Sequence, residues 1–173
     1  YKGIRPIPGH NMTVEEFTKI ANYFTRMSFC GQISDPIFNP NLLEFVKIAK
    51  DKGRHLVIHT AATQKPMKWY EDVIEASGRV DWIFGIDGLP KDSHIYRVNQ
   101  DGEKLWEVAK MCAKAGQKTT WQYIVFKYNE NNIEEARGMA ADHGLQFEVH
   151  HSSRWLGPND PLRPTKEEWR LKR

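Results

Sequence analysis

The residues with chemistry to offer stand in five polar groups, each at the end of a short apolar run. Gly31-Gln-Ile-Ser-Asp-Pro36 follows Met27-Ser-Phe-Cys30, His59-Thr-Ala-Ala62 closes the run that begins at His55, and Gly85-Ile-Asp-Gly88 follows Asp81-Trp-Ile-Phe84. Further along come Gln122, Tyr123, Lys127, Tyr128 and Asn129, and then Glu148, His150 and His151. Asp35, Asp87 and Glu148 are the carboxylates among them. His59, His150 and His151, with Asp87 or Glu148, are the ligand types of a metal-dependent barrel hydrolase. Against that reading, neighbouring residues of a strand point to opposite faces, so at most one of His150 and His151 can share a site with His59. No His-x-His pair stands on a first strand either. Cys30 and Cys112 are the only thiols. Both read as small buried hydrophobes.

These groups need elements to hold them. Thr13-Val-Glu-Glu16 has capping-box spacing and starts a helix over 13–24, with Phe17, Ile20, Ala21 and Phe24 on one face. Pro40 opens a helix to about Lys52 with Gly53 beyond it, and Pro66 opens another to about Ala76. Helices are also predicted over 103–115 and 133–143, and strands over 27–30, 55–59, 81–84, 119–126 and 145–149. Five strands alternating with four helices, after a leading helix, predict an α/β fold with right-handed crossovers and a parallel sheet. An open doubly wound sheet and a partial barrel both satisfy that pattern. In either, the five polar groups lie at the carboxyl ends of the strands, where ligands bind. On the fourth strand Gln122 and Tyr123 face opposite ways, and Gln122, the odd polar member of an apolar run, is assigned to the interior.

Composition bounds the answer. The chain has 173 residues, 40% hydrophobic and 27% charged, which suits one globular unit and is short of a full eight-stranded barrel. A net charge of +3, from 25 basic and 22 acidic residues, contains no basic block of the kind that binds nucleic acid. No apolar stretch is long enough to span a membrane. Two cysteines make no disulfide framework, so a reducing cytoplasm is the expected setting. The division expected is a barrel unit over 1–151 and a tail over 152–173, rich in Pro, Arg and Trp. Tyr1 stands where a start Met would, and a missing front end is the expectation.

Taken together, the motifs at the strand ends resemble those of radical S-adenosylmethionine (radical SAM) enzymes. Phe29-Cys-Gly-Gln-Ile-Ser-Asp-Pro-Ile-Phe-Asn-Pro-Asn-Leu-Leu-Glu44 is similar to that family's second strand and loop, Ser34-Asp35-Pro36 standing for its Gly-Glu-Pro or Gly-Asp-Pro. His59-Thr-Ala-Ala62 resembles its Thr-Asn-Gly turn. Phe84-Gly-Ile-Asp-Gly-Leu89, with Ile95-Tyr-Arg97 and Trp106 after it, resembles its Ser-Ile-Asp-Gly-Leu segment. Trp121-Gln-Tyr-Ile-Val-Phe-Lys-Tyr-Asn129 and Ile133-Glu-Glu-Ala136 complete the order, and the likeness covers residues 25–150. One departure is large: the family's Cys-x₃-Cys-x₂-Cys loop is absent.

The resemblance implies a partial (β/α) barrel of about five strands, from a parent that cleaves S-adenosylmethionine reductively at a [4Fe–4S] cluster. It implies cofactor-binding roles for Gly31, Ser34, Asp35, Pro36, Thr60, Gly85, Asp87, Gln122 and Glu148. Ser34 and Asp35 would accept from the methionine amino group. Gly85 stands where the family has a ribose-facing Ser, and Asp87 is equally a turn residue of an Asp-Gly pair. Lys127 and Asn129 are expected at the rim. No cofactor or metal is expected on this chain alone, which is expected to be inactive. The substrate is not legible, nucleic acid and membrane partners are not expected, and the exposed first strand is expected to pair in a homodimer or aggregate. A noncatalytic binding module using Trp155 and Trp169 is the remaining alternative.

Overall fold

In the computed structural model, residues 9–31, 34–152 and 155–170 are described. The leading helix α1 (Val14–Tyr23) carries the capping box: Thr13 Oγ1 accepts from the Glu16 N–H at 3.2 Å, and Glu16 Oε2 accepts from the Thr13 N–H at 2.8 Å. Then follow β1 (Arg26–Cys30), α2 (Leu42–Asp51), β2 (His55–Thr60), α3 (Met67–Ala76) and β3 (Arg79–Gly85). The second half is α4 (Gly102–Lys114), β4 (Lys118–Ile124), α5 (Ile133–Asp142) and β5 (Gln146–His150). The predicted elements are all present, with ends shifted by a residue or two. The strand predicted over 119–126 stops at Ile124. Beyond it the Asn129 side chain accepts from the Phe126 N–H at 2.7 Å and donates to the Ile124 carbonyl at 3.0 Å, closing a turn.

All strand pairings are parallel, and the spatial order is β1-β2-β3-β4-β5. That order settles the architecture. Right-handed crossovers that always advance in one direction leave every helix on one face of the sheet, whereas a doubly wound sheet must reverse. The sheet is therefore a partial barrel wall, with helices outside and a bare concave face inside.

Alternation sorts the side chains between those faces. Toward the helices go Met27, Phe29, Leu56, Ile58, Val80, Trp82, Phe84, Trp121, Tyr123, Phe147 and Val149, which meet one continuous core. Helix residues at spacings of three and four complete it, such as Leu42, Phe45, Val46 and Ala49 of α2. Several of the buried indoles and phenols find acceptors. Trp121 Nε1 donates to the Ile86 carbonyl at 2.8 Å, and Tyr123 Oη to the Asn129 carbonyl at 2.7 Å. The concave face carries Ser28, Cys30, His55, His59, Asp81, Gly85, Thr120, Gln122 and Glu148. Cys30 is thus exposed rather than buried as expected, because β1 is an edge strand. Cys112 is buried on α4, where burial pushes its thiol pKa up. The other cover expected for the outer edge of β1, residues 1–12 folded over it, lies in part outside the described residues.

The tail packs on the body. Glu130 takes the Thr165 N–H at 2.8 Å, the Lys166 N–H at 3.1 Å and the Thr165 hydroxyl. Trp169 lies against the core, and the Trp155 ring meets Phe126 edge-on at 5.6 Å. Burial draws the Glu130 pKa upward, but the hydrogen bonds from Thr165 and Lys166 outweigh it and hold the carboxyl below its ordinary range. A lowered folded-state pKa means that the contribution is present above the unfolded value and lost as pH falls through the folded one. Glu130→Gln is accordingly expected to lower hydrogen-exchange protection of the Thr165 and Lys166 amides by roughly tenfold, the scale of one lost hydrogen bond to a charged group. Wild-type protection should fall in the same way on acidification, and a Gln variant as well protected as wild type would refute the tie.

Candidate functional site at the carboxyl ends of the strands

The loops after β1, β2 and β3 meet at one mouth, around a cavity of about 330 Å³ lined by Asp35, Phe38, Ala61, Ala62, Arg97 and Asn99, among others. Asp35 is the joint of this rim. Its Oδ1 accepts from the Ile37 N–H at 3.2 Å and the Thr60 hydroxyl at 2.8 Å. Its Oδ2 accepts from the N–H groups of Ala61 at 2.8 Å and Ala62 at 3.2 Å. A carboxylate offers about four acceptor sites, and here all four are taken. The side chain therefore ties the β1 loop to the end of β2, a positioning role beyond the ammonium contact that the motif implied. Thr60 is buried on the helix side, its hydroxyl committed to Asp35. Pro36 opens a 3₁₀ turn over Pro36–Phe38 with Asp35 as its cap. Gly31 is required by close approach: a Cβ there would lie 1.8 Å from the Ser34 carbonyl oxygen.

The end of β3 holds a second joint. Asp87 is fully buried; its Oδ1 accepts from the Ile124 N–H at 2.9 Å, and its Oδ2 lies 2.7 Å from Arg97 Nε in an ion pair. Burial pushes the Asp87 carboxyl above the ordinary carboxylate range, against the pull of the Arg97 guanidinium. The guanidinium lies across Gly85, where a Cβ would come within 2.7 Å of Arg97 Nη2. Gly85 therefore leaves room for arginine, which fills the place expected of a ribose-facing serine. Around this pair, Gln100 Nε2 donates to the carbonyls of Ala61 at 2.6 Å and Gly85 at 2.9 Å, clamping the ends of β2 and β3 together. Ser93 hydrogen-bonds Gln100, and its Oγ accepts from the Asp87 N–H at 3.1 Å. Asn99, with φ of 68°, turns the chain back so that Gln100 faces inward and Val98 outward.

Below the mouth, Gly85, Gln122 and Glu148 form one register row on the concave face, as the alternation predicted for Gln122. His59 belongs to the adjacent row, beside Cys30 and Ile83. Its pKa is lowered by burial, with the Glu148 charge acting the other way. Glu148 and His150 face each other at 3.4 Å, both half exposed. Among the described residues, no three His, Cys, Asp or Glu side chains come close enough together to hold a metal ion. Asn129 is buried in its turn rather than presented at the rim. Ser93 and Gln100 escaped the sequence reading, and Arg97 entered it only within Ile95-Tyr-Arg97, with no role assigned. Their one legible signal was a polar set spaced through 93–100, directly after a Gly-Ile-Asp-Gly turn.

No protein-family model matches the chain, and no curated protein does. Solved structures do. SuiB of Streptococcus suis superposes with a TM-score of 0.65 at 15% identity, over 82% of this chain and 32% of that one. SuiB bound to S-adenosylmethionine matches with a TM-score of 0.60 at 15% identity, over 72% and 29%. A domain of pyruvate-formate lyase-activating enzyme from Bacteroides vulgatus matches with a TM-score of 0.60 at 15% identity, over 82% and 86%. The chain thus spans about a third of SuiB and most of the activating-enzyme domain. The chain has the fold of these neighbours over the matched span: five parallel strands with the helices on one face.

Proposed function

We propose that this chain is the S-adenosylmethionine-binding wall of a radical SAM enzyme, with the cofactor's methionine end in the mouth cavity beside Arg97. The observation that carries the reading is the placement of that guanidinium. Asp87 holds it by Nε, Gly85 gives it room, and it borders the cavity. A guanidinium so fixed suits a carboxylate, which it can grip through two parallel hydrogen bonds. Asp35, Gln100 and Ser93 act as positioning residues that hold the three loops in place. The fold of the neighbours, one of them with S-adenosylmethionine bound, supports the same ligand.

The iron–sulfur cluster does not fit the residues present. A radical SAM cluster takes three thiolates, and Cys30 and Cys112 lie on opposite faces of the sheet, one exposed and one buried. In this reading the parent enzyme's cluster ligands come from outside these residues. The parent cleaves S-adenosylmethionine reductively, and this chain alone binds without turnover. The exposed edge of β1 is where a further strand or a second copy would pair.

The test is a thermal-shift and calorimetric titration with S-adenosylmethionine and with its decarboxylated analogue. S-adenosylmethionine should raise the melting temperature, as any ligand selective for the folded state does. Decarboxylated S-adenosylmethionine should bind about tenfold more weakly or worse, the scale of a charge-assisted pair. Arg97→Lys, which keeps the charge but loses the fork, should abolish that discrimination. Equal affinity for the two ligands in the wild-type chain would remove Arg97 from the site, and no shift with either would remove the cofactor.

A further inference from the structure

A second cavity, larger than the one at the mouth, lies at the opposite end of the concave face. It has a volume of about 670 Å³, and Arg26, His55, Arg79, Asp81, Gln117 and Lys118 are among the residues that line it. The sheet register explains the grouping. Arg26 pairs with His55 and His55 with Arg79 across β1, β2 and β3, while Asp81 pairs with Lys118 across β3 and β4. All five lie on the concave face, so four basic side chains and one carboxylate stand on four adjacent strands.

The one carboxylate is already engaged. Asp81 Oδ1 lies 3.0 Å from His55 Nε2, both side chains largely buried. Among the described residues, Arg26, Arg79 and Lys118 make no ion pair, and all three are exposed. Like charges on neighbouring strands repel, and these positions point away from the core, so packing does not require a cation at any of them. Compensation of helix dipoles accounts at most for Arg79: α2 and α4 carry their own last-turn cations, Lys50 and Lys114, while α3 has none and its end at Ile74 and Ser77 lines the cavity beside Arg79. Residues 1–8, 32–33, 153–154 and 171–173 include Lys2, Arg5, Arg154, Lys172 and Arg173 but no Asp or Glu.

We propose that this amino-terminal cavity binds a small molecule carrying two or more linked phosphates, gripped by Arg26, Arg79 and Lys118. Strands lie about 4.8 Å apart, so the three cations span roughly 14 Å. That spread exceeds the reach of one carboxylate and suits a chain of phosphates. The cavity volume falls within the range of small-ligand sites. The site stands apart from the mouth, and the proposal does not depend on what the mouth binds.

Inorganic tripolyphosphate is the probe, titrated calorimetrically into the whole chain at physiological ionic strength. The expected result is one site per chain. Arg26→Gln and Arg79→Gln should each weaken it by about tenfold, as loss of a hydrogen bond to a charged group would. Lys47→Gln, which removes an exposed cation of α2 that lines neither cavity, should leave it unchanged. Without the probe, the double variant Arg26→Gln/Arg79→Gln should melt no lower than wild type, since it removes repulsion, and this shows that lost binding is not lost folding. No heat at millimolar tripolyphosphate would overturn the proposal, as would unaltered affinity in the double variant. Displacement of the probe by a single-stranded DNA oligonucleotide at lower concentration would overturn it in favour of a polynucleotide.

Discussion

Arg97→Met should destabilise the protein by about 3–5 kcal/mol, because it leaves the Asp87 carboxylate buried with no counter-charge. Asp87 has no solvent exposure, and the methionine substitution fills most of the arginine's volume, so the loss is electrostatic rather than a cavity. The pH dependence identifies the cause. Burial already raises the Asp87 pKa. A raised folded-state carboxyl binds its proton more tightly than the unfolded chain does, so its contribution is greatest at low pH and is lost as pH rises from the unfolded value through the folded one. Without Arg97 that upper limit moves higher still. The deficit of Arg97→Met against wild type, measured by urea unfolding, should therefore be largest near neutrality and shrink toward pH 5. Asp87→Asn/Arg97→Met, which keeps an acceptor for the Ile124 N–H, should recover more than half of it. A deficit independent of pH, or no recovery in the double variant, would show that the pair does not hold the β3 end.

Asp35→Ala is the second large effect, on the order of 3 kcal/mol. Four donors lose their acceptor at once, namely the N–H groups of Ile37, Ala61 and Ala62 and the Thr60 hydroxyl. Each hydrogen bond to a charged group is worth roughly 1.5–3 kcal/mol, but rim N–H groups can turn to water and regain part of that. Asp35→Asn distinguishes this account from simple loss of charge. Its amide presents an NH₂ to Ala61 and Ala62, both donors, so it should be nearly as damaging as alanine. Ligand affinity at the mouth should fall by at least about tenfold in both variants, since the loop that shapes the cavity is no longer tied down. If Asp35→Asn kept wild-type stability, the carboxylate would not be the joint described here. Wild-type stability with lost ligand affinity would instead point to the direct contact that the family motif implied.

Much of this protein was legible along the chain. Alternating apolar runs and helical periods located the five strands and five α-helices of the described residues, because burial of one face imposes its period on the sequence. The Thr13 and Glu16 capping box and the interior-facing Gln122 were equally local facts, decided within a few residues of backbone. The polar rim at the strand ends followed from parallel topology alone. The tertiary structure decided the rest. Alternation cannot say in which direction each crossover moves, so only the pairing order separated a partial barrel wall from a doubly wound sheet. That order also put Cys30 on the bare face of an edge strand. The use of a polar side chain depends on donors brought in from elsewhere: Asp35 met the end of β2 and was engaged there, while Arg97 met Gly85 and Asp87 across a loop and became the cation at the mouth. Residues far apart in the chain set those partners, and no local pattern encodes them.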